Sequence, residues 1–296
     1  MAIYAFDGTW NEHRKNAETD TNVLWFRNAY QQRQWYQKGV GTRVGKLGAI
    51  VGGISGAGGR SRIAKALESL QRSFDEGDRT IDIVGFSRGA ALALHFANRV
   101  NHDGVPGHRR SARTPIRFLG LWDTVGSFGV PGNRVNLAWD LDLPDNVDKC
   151  YHALALDERR RTFPVTRLSA RVHDVNQEGR LFEVWFRGVH SDVGGGNGNP
   201  GLSSIPLNWM FAKGLSCGLL LDVNIVKWNL TRMKPEARVS PAPKYDLIKN
   251  GFRAVRWNDQ VHHSVAFRDS RSHNNPPLNC ALVDDGGAVV GAFAHA

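Results

Sequence analysis

Cysteine is scarce in this sequence. Cys150, Cys217 and Cys280 are the three cysteines among 296 residues, and they lie far apart. An odd number at such spacing provides neither a disulfide framework nor a four-cysteine zinc site. The protein is therefore expected to be made in a reducing compartment, and no metal or other cofactor is predicted.

Long apolar runs are missing as well. The most apolar window, residues 202–221, is interrupted by Pro206, Asn208 and Lys213, so it is predicted to be a buried helix and not a membrane span. The N-terminus has no basic lead, and Asp7 interrupts its apolar run before the core of a signal peptide could form. We therefore expect synthesis in the cytoplasm without a cleaved signal peptide.

Lysine is infrequent too, and the positive charge comes mostly from arginine, with 28 Arg and 10 Lys. Against 28 Asp and Glu, the formal net charge is +10 with His neutral. An apolar content of 41% excludes a disordered or fibrous chain. The basic charge would favour contact with an anionic membrane or nucleic acid. No zinc finger, aromatic RNA motif or basic helix is present, so nucleic acid is the disfavoured partner.

Short apolar runs alternate with stretches of helical spacing along the chain. Strand formers dominate four runs: residues 2–6, 80–84, 116–122 and 181–186. Apolar residues recur at helical spacing in three stretches: residues 21–35, 60–74 and 89–99. A short extended piece is expected near residue 35. The alternation predicts an α/β fold with a mainly parallel central sheet flanked by helices.

No linker or repeat divides the chain, so residues 1–296 are predicted to form one domain. Two segments, residues 131–180 and 222–262, are irregular, polar and rich in Pro, Asn, Asp and Arg. We interpret them as insertions or lids over the carboxyl edge of the sheet. The glycine-rich residues 39–59 lack the spacing of a phosphate-binding loop and are predicted to be a surface loop.

The motif Gly-Phe-Ser-Arg-Gly at residues 85–89 follows an apolar strand and precedes an Ala- and Leu-rich helix. This position is typical of the G-x-S-x-G nucleophile elbow, a turn too tight for side chains at the two glycine positions. Ser87 is therefore the candidate nucleophile, and the backbone N–H of Arg88 is the candidate donor to a developing oxyanion. The alternative is a serine that only caps the helix.

A serine hydroxyl needs a histidine base, and the histidine needs a carboxylate that orients it. Asp123 and His190 each follow a predicted strand, so both are expected at the carboxyl edge of the sheet with Ser87. The order Ser, Asp, His is that of α/β-hydrolases. His190 is preferred to His95 and to the pair at 262–263, because a glycine-rich loop after a strand can bring its ring over the serine.

Further residues are predicted to support the site. Gly8 or Thr9, in the loop after the first strand, is the candidate second oxyanion donor through its backbone N–H. Asp7 is expected to brace that loop by accepting backbone hydrogen bonds. Asp192 lies two residues from His190 and is the alternative to Asp123 as the carboxylate that orients His190. If it does not have that role, it is expected to orient loop N–H groups.

Six motifs occur in the order found in the α/β-hydrolase domain of type VI secretion lipase effectors: residues 6–11, 39–42, 85–90, 122–126, 152–159 and 188–195. The chain resembles that family over residues 3 to about 268, since His262 and Arg268 are also similar to its last motif. It differs in lacking room for the long membrane-anchoring insertions of larger members. It also has His263 where that last motif tends to have Pro.

The resemblance implies a Ser87, Asp123 and His190 triad that hydrolyses ester bonds in lipids without a metal, with phospholipid as the substrate class. His262, in the last motif, is then a supporting residue. The resemblance also implies action at a membrane surface and export by a type VI-like route into a target cell. Secretion-apparatus and immunity proteins are the partners it implies.

Two other functions are compatible with the sequence. An esterase or thioesterase with a soluble acyl substrate would use the same triad and would prefer short soluble esters to dispersed lipid. A basic binding protein that keeps the fold without chemistry would bind DNA or RNA in a salt-dependent manner that Ser87→Ala leaves unchanged. A lipase or phospholipase A is the first hypothesis, because the site and not the fold determines the function.

Overall fold

Nine strands lie in the part of the chain that the computed structural model describes, which is residues 1–8, 19–38, 56–108, 114–126, 139–160, 163–168, 179–241, 251–267 and 273–294. Their bounds are β1 Ala2–Phe6, β2 Arg33–Gln37, β3 Ile81–Phe86, β4 Ile116–Trp122, β5 Cys150–Ala155, β6 Leu181–Phe186, β7 Gln260–His262, β8 Ala281–Val283 and β9 Val289–Ala292. They form one sheet in the order β2-β1-β3-β4-β5-β6-β7-β8-β9. All neighbours pair in parallel except β8 and β9.

The described helices connect these strands. Their bounds are α1 Asn22–Ala29, α2 Gly56–Asp75, α3 Arg88–Asp103, α4 His190–Gly194, α5 Pro200–Ser216 and α6 Val223–Arg232, with a 3-10 helix at His263–Phe267. The helix predicted over 21–35 ends early, because Tyr30 is extended and pairs with Leu221. The Tyr30 hydroxyl also donates to Asp82 Oδ2 at 2.8 Å. The extended piece expected near residue 35 is β2.

Helices cover both faces of the sheet, as the alternation along β1 shows. Ala2, Tyr4 and Phe6 pack with residues of α2 and α3 in one buried cluster. Ile3 and Ala5 pack with residues of α1 and α5 in another. Because successive side chains of a strand point to opposite faces, the sheet is sandwiched between two helical layers. The predicted α/β fold with a mainly parallel sheet is confirmed.

The two segments predicted to be irregular contain regular elements. Within 131–180, β5 is a buried strand that pairs with β4 and β6, so the expectation of an irregular segment is wrong there. His152 is polar and interrupts the apolar pattern of this strand. The His152 ring is nevertheless buried, since it hydrogen-bonds Glu183 and Thr124. Within 222–262 lie α6 and β7, and β7 is too short at three residues to show a period.

The apolar window at 202–221 is mostly α5, a buried helix as predicted. Among the described residues, none of the helices is both long enough and apolar enough to cross a membrane. Of the predicted glycine-rich loop, residues 39–55 lie outside the described residues, and residues 56–59 begin α2.

Candidate active site

Ser87 lies in a sharp turn between β3 and α3. Its backbone has φ 59° and ψ −127°, a conformation that residues other than glycine rarely adopt. A Cβ built on Gly85 would lie 2.6 Å from Ala90 Cα, and a Cβ on Gly89 would lie 2.3 Å from the carbonyl oxygen of Phe6. The turn therefore requires both glycines, and it places Ser87 at the N-terminus of α3.

Three buried side chains at the carboxyl edge of the sheet are joined by hydrogen bonds. His190 Nε2 lies 2.8 Å from Ser87 Oγ, and His190 Nδ1 lies 2.6 Å from Asp123 Oδ2. Since a carboxylate only accepts, Nδ1 carries the proton and Nε2 accepts from the serine hydroxyl. In this arrangement a serine can give its proton to a histidine.

Asp123 is fully buried, and its carboxylate has several partners besides His190. It accepts from the N–H of Ala155 at 2.9 Å and from both Nη atoms of Arg253 at 2.6 and 3.1 Å. Burial by itself would raise the pKa of Asp123. The charge of Arg253 and the hydrogen bond from His190 outweigh that effect and hold the pKa well below its usual range. Asp123 is therefore ionised at neutral pH.

The His190 ring lies between two aromatic rings. The centroids of Phe86 and Phe163 are 4.6 and 4.8 Å from the centroid of the imidazole. Burial lowers the pKa of His190 from its usual value of 6.5, and Asp123 counteracts part of that shift. The imidazole is therefore neutral at pH 7, which is the form that can accept a proton.

Glu158 holds the backbone of the same histidine. Its Oε2 accepts from the N–H of His190 at 3.1 Å and from Arg160 Nη2 at 2.8 Å. Burial would raise the pKa of Glu158, but the hydrogen bonds and charge of Arg160 lower it. The Arg160 guanidinium also lies 3.8 Å from the ring centroid of Phe163. The loop after β5 therefore fixes both the main chain and one face of His190.

The predicted oxyanion donors differ in their surroundings. Arg88 is the first residue of α3, so its backbone N–H belongs to the helix N-terminus beside Ser87. The N–H of Gly8 donates to Asp7 Oδ1 at 2.7 Å, so in this structure it is directed at a side chain, which departs from the predicted role. Thr9 lies outside the described residues.

Asp7 is buried at the end of β1. Its Oδ2 accepts from the hydroxyls of Thr21 and Tyr36, each at 2.8 Å. Thr21 is also the N-cap of α1, since its Oγ1 accepts from the N–H of Leu24. Asp7 therefore ties the end of β1 to β2 and to the start of α1, with hydroxyl donors in addition to the backbone donor that the sequence predicted.

Asp192 lies two residues from His190 and hydrogen-bonds other groups. It accepts from the backbone N–H of Val189 at 3.1 Å and of Ser240 at 2.9 Å, and from the Asn197 amide at 2.8 Å. Of the two candidate carboxylates, Asp123 is the one that accepts from His190 Nδ1. Asp192 orients loop groups, which is the alternative that its sequence position allowed.

His262 ends β7 in a separate hydrogen-bonded group. Its Nδ1 lies 2.8 Å from Ser264 Oγ, and its Nε2 lies 3.2 Å from Asp285 Oδ1. The ring stacks on Phe186 at a centroid distance of 4.8 Å. These contacts fix the end of β7 to the turn after β8, so any support that His262 gives Ser87, Asp123 and His190 is indirect.

The sequence reasoning did not single out Arg253 or Phe163. Glu158 falls within the motif at 152–159, which was the available signal for it. Arg253 has no local signal, because its partner Asp123 is 130 residues away in the chain. Within the described residues, no group of three or more His, Cys, Asp or Glu side chains is arranged to hold a metal ion.

Comparison with known proteins gives a family. A family model described as "T6SS, Phospholipase effector Tle1-like, catalytic domain" matches residues 2–111 and 105–213. An uncharacterized protein from Pseudomonas aeruginosa has a similar structure, with a TM-score of 0.55 and 23% sequence identity, over 81% of this chain and 48% of its own. That likeness shows a shared fold. No curated protein matches.

A second solved structure has a lower similarity. It is the Tle1 effector bound to the VgrG spike from the type 6 secretion system, with a TM-score of 0.48 and 23% identity, over 68% of this chain and 51% of its own. The chain thus spans about half the length of the two solved structures.

Proposed function

This chain belongs to the Tle1-like catalytic-domain family of type VI secretion phospholipase effectors, and from that premise we propose that it is a serine hydrolase of acyl esters in membrane phospholipid. The family supports a lipase or phospholipase activity. The observation on which the proposal rests is the hydrogen-bonded chain from Asp123 through His190 to Ser87.

The first half of the reaction makes an acyl-enzyme. Ser87 Oγ attacks the acyl carbonyl carbon while His190 Nε2 takes the hydroxyl proton. Asp123 stabilises the imidazolium through Nδ1 and does not itself take the proton. The tetrahedral intermediate then collapses, the ester bond breaks, and the alcohol leaves with the proton from His190. The acyl chain remains on Ser87.

The second half releases the fatty acid. His190, neutral again, takes a proton from water as the water oxygen attacks the acyl-enzyme carbonyl. When this second tetrahedral intermediate collapses, the acyl–Ser87 bond breaks, His190 returns the proton to Ser87 Oγ, and the fatty acid leaves. The N–H of Arg88 stabilises the oxyanion in both halves, together with a second donor from the loop after β1. Gly8 would serve there only after its N–H leaves Asp7 Oδ1, and Thr9 is the other candidate. Losing one such donor costs on the order of 10²-fold in turnover.

Delivery follows from the family description. Its members are type VI secretion effectors, which supports export of this chain by that route into a target cell. A component of the secretion apparatus and an immunity protein in the producing cell are the partners proposed. The lipid of the target membrane is the proposed substrate.

Fatty-acid release from phospholipid vesicles tests the proposal. We expect the wild type to release fatty acid and Ser87→Ala to lose at least about 10³-fold of that rate, because the nucleophile is removed. Ser264→Ala is the matched control, since Ser264 is also a buried serine hydrogen-bonded to a histidine, His262. The control is expected to retain activity.

A short aryl ester assayed in parallel separates the alternatives. Cleavage of the aryl ester alone, lost in Ser87→Ala, would contradict phospholipid as the substrate and indicate a soluble esterase. Release from vesicles that survives Ser87→Ala would contradict the serine mechanism. Activity on neither substrate, in a folded protein, would overturn the proposed function.

A further inference from the structure

Arg253 is a cation in direct contact with the proposed triad carboxylate. Its Nη1 donates to Asp123 Oδ1 at 2.6 Å, and its Nη2 donates to Asp123 Oδ2 at 3.1 Å. This is the two-pronged geometry in which arginine binds a carboxylate most strongly. Both partners are almost completely removed from solvent, with 8% of the Arg253 side chain and none of the Asp123 side chain exposed. Solvent therefore screens this pair very little.

The same guanidinium holds two segments around the site. Nη1 donates to the carbonyl of Ala155, where β5 ends, at 2.8 Å, and Nη2 donates to the carbonyl of Phe163 at 2.9 Å. The Phe163 ring is one of the two that pack against His190. Arg253 therefore fixes both the Asp123 carboxylate, which accepts from His190, and the segment of Phe163, whose ring packs against His190.

The backbone of Arg253 is fixed as well. Its carbonyl accepts from Asn274 Nδ2 at 2.8 Å, and the same amide donates to the carbonyl of Leu156 at 2.7 Å. The N–H of Asn274 donates to Asp157 Oδ1 at 2.9 Å. The guanidinium is thus supported from behind by a buried network that begins in the loop after β5.

We propose that Arg253 is a positioning residue for the reaction, which holds the Asp123 carboxylate in the rotamer that His190 requires and keeps it ionised. The inference rests on the function proposed above. Arg253 acts through Asp123 and does not reach the reacting atoms. Its charge also offsets the charge of the carboxylate, so that His190 is a weaker base than it would be beside an isolated aspartate.

The charged and titratable groups that face His190 come from several elements. Among the described residues they are Asp123 after β4, Glu158 and Arg160 after β5, and Asp192 in α4, and Arg253 before β7 acts through its contact with Asp123. Two of these groups are cations and three are carboxylates, so removing the charge of Arg253 increases the excess of negative charge around the imidazole. The protonated form of His190 is then favoured.

The pH dependence of kcat/KM on the aryl ester tests the inference, with Arg253→Gln, Arg253→Lys and Arg167→Gln beside the wild type. Arg253→Gln keeps amide donors and loses the charge. We expect its acid limb to move up by about 1 pH unit and its kcat to fall roughly tenfold or more, with KM little changed. Arg253→Lys restores the charge and not the two-pronged contact, so its limb stays in place and its kcat falls.

Arg167→Gln is the matched control. Arg167 binds Asp259 through both Nη atoms at 2.7 and 2.8 Å and is similarly buried, so its loss measures the cost of breaking a comparable pair elsewhere. Its acid limb should not move. An unmoved limb in Arg253→Gln would overturn the inference. Should that variant not fold, an unchanged kcat in Arg253→Lys would overturn it.

The titration of the His190 ring, followed by NMR, makes the result independent of turnover. A wild type without Ser87-dependent activity would refute the proposed function alone. The ring would still titrate at a higher pH in Arg253→Gln than in the wild type if Arg253 acts on Asp123 as proposed. An identical titration in the two proteins would refute the role of Arg253, whatever the activity.

Discussion

The position of the His190 ring depends on Gly194, because Gly194 packs against Phe86, which in turn packs against His190. A Cβ built on Gly194 would lie 1.9 Å from Cε2 of Phe86, and the Phe86 ring is one of the two that enclose the imidazole. A side chain at 194 must therefore displace Phe86. The absence of a side chain at Gly194 thus allows the backbone to approach the Phe86 ring closely.

Gly194→Ala is expected to destabilise the protein and reduce its activity. Overpacking of a filled core costs about 1–3 kcal/mol, and the shift of Phe86 releases His190 from one side. Urea unfolding and ester turnover measure the two effects. Gly58→Ala is the control, because nothing lies within 4 Å of a Cβ there and the residue is in α2. Equal stability of the two variants would contradict the packing argument.

Residue identity was predictable where a local pattern constrains it. Ser87, Asp123 and His190 each follow a recognisable strand, and parallel strands bring their carboxyl ends to one edge. Arg253 and Phe163 were not predictable, because they reach the site from segments without a period, and the contact between Arg253 and Asp123 links distant parts of the chain. Such contacts depend on tertiary packing, which a local pattern does not encode.

At the scale of elements, strand length decided what the sequence revealed. The strands of five to seven residues with apolar sequences, such as β1, β3 and β4, stood out. β7 and β8 have three residues each and gave no periodic signal. β5 was not predicted because His152 interrupts its apolar sequence. The hydrogen bonds of His152 to Glu183 and Thr124 are tertiary contacts, which the sequence pattern does not show.

The connection between α4 and α5 depends on Asp192. Its carboxylate accepts from Asn197 and Asn199 before α5, at 2.8 and 2.9 Å, and from the N–H and hydroxyl of Ser240, at 2.9 and 2.5 Å. A fully buried carboxylate with these partners joins the loop of His190 to the segment after α6. Its removal takes an acceptor from the N–H groups of Val189 and Ser240 and from the side chains of Asn197, Asn199 and Ser240.

Asp192→Ala is therefore expected to cost about 2–4 kcal/mol of the free energy of unfolding. Asp222→Ala is the matched control, since Asp222 caps α6 with one hydrogen bond to the N–H of Asn224, and loss of such a cap costs about 1 kcal/mol. Urea unfolding of both variants measures the difference. Two equal costs would show that the Asp192 network adds nothing beyond a single cap.

At the scale of the whole molecule, the net charge of +10 gives a reason for contact with an anionic membrane. An apolar and basic pair lies next to the proposed site. Phe252 precedes Arg253 and is 38% exposed, and the Arg159 guanidinium lies 4.5 Å from its ring centroid. Phe267, at the end of the 3-10 helix, is 65% exposed. A phospholipid bilayer offers anionic headgroups to the first pair and acyl chains to both aromatic rings.

Binding to vesicles with anionic lipid is expected to weaken as salt rises, because the Debye length falls from about 10 Å at 0.1 M to about 3 Å at 1 M.

Phe252→Ser should weaken binding to the same vesicles by about tenfold, since losing the burial of an aromatic ring costs roughly 1.5 kcal/mol. Co-sedimentation measures both effects. Leu230→Ser is the control, because Leu230 is 50% exposed on α6. Turnover of the soluble aryl ester should be the same in both variants. Equal loss of vesicle binding in the two would show that the membrane contact does not lie at Phe252, and salt-independent binding would show that the basic charge does not drive it.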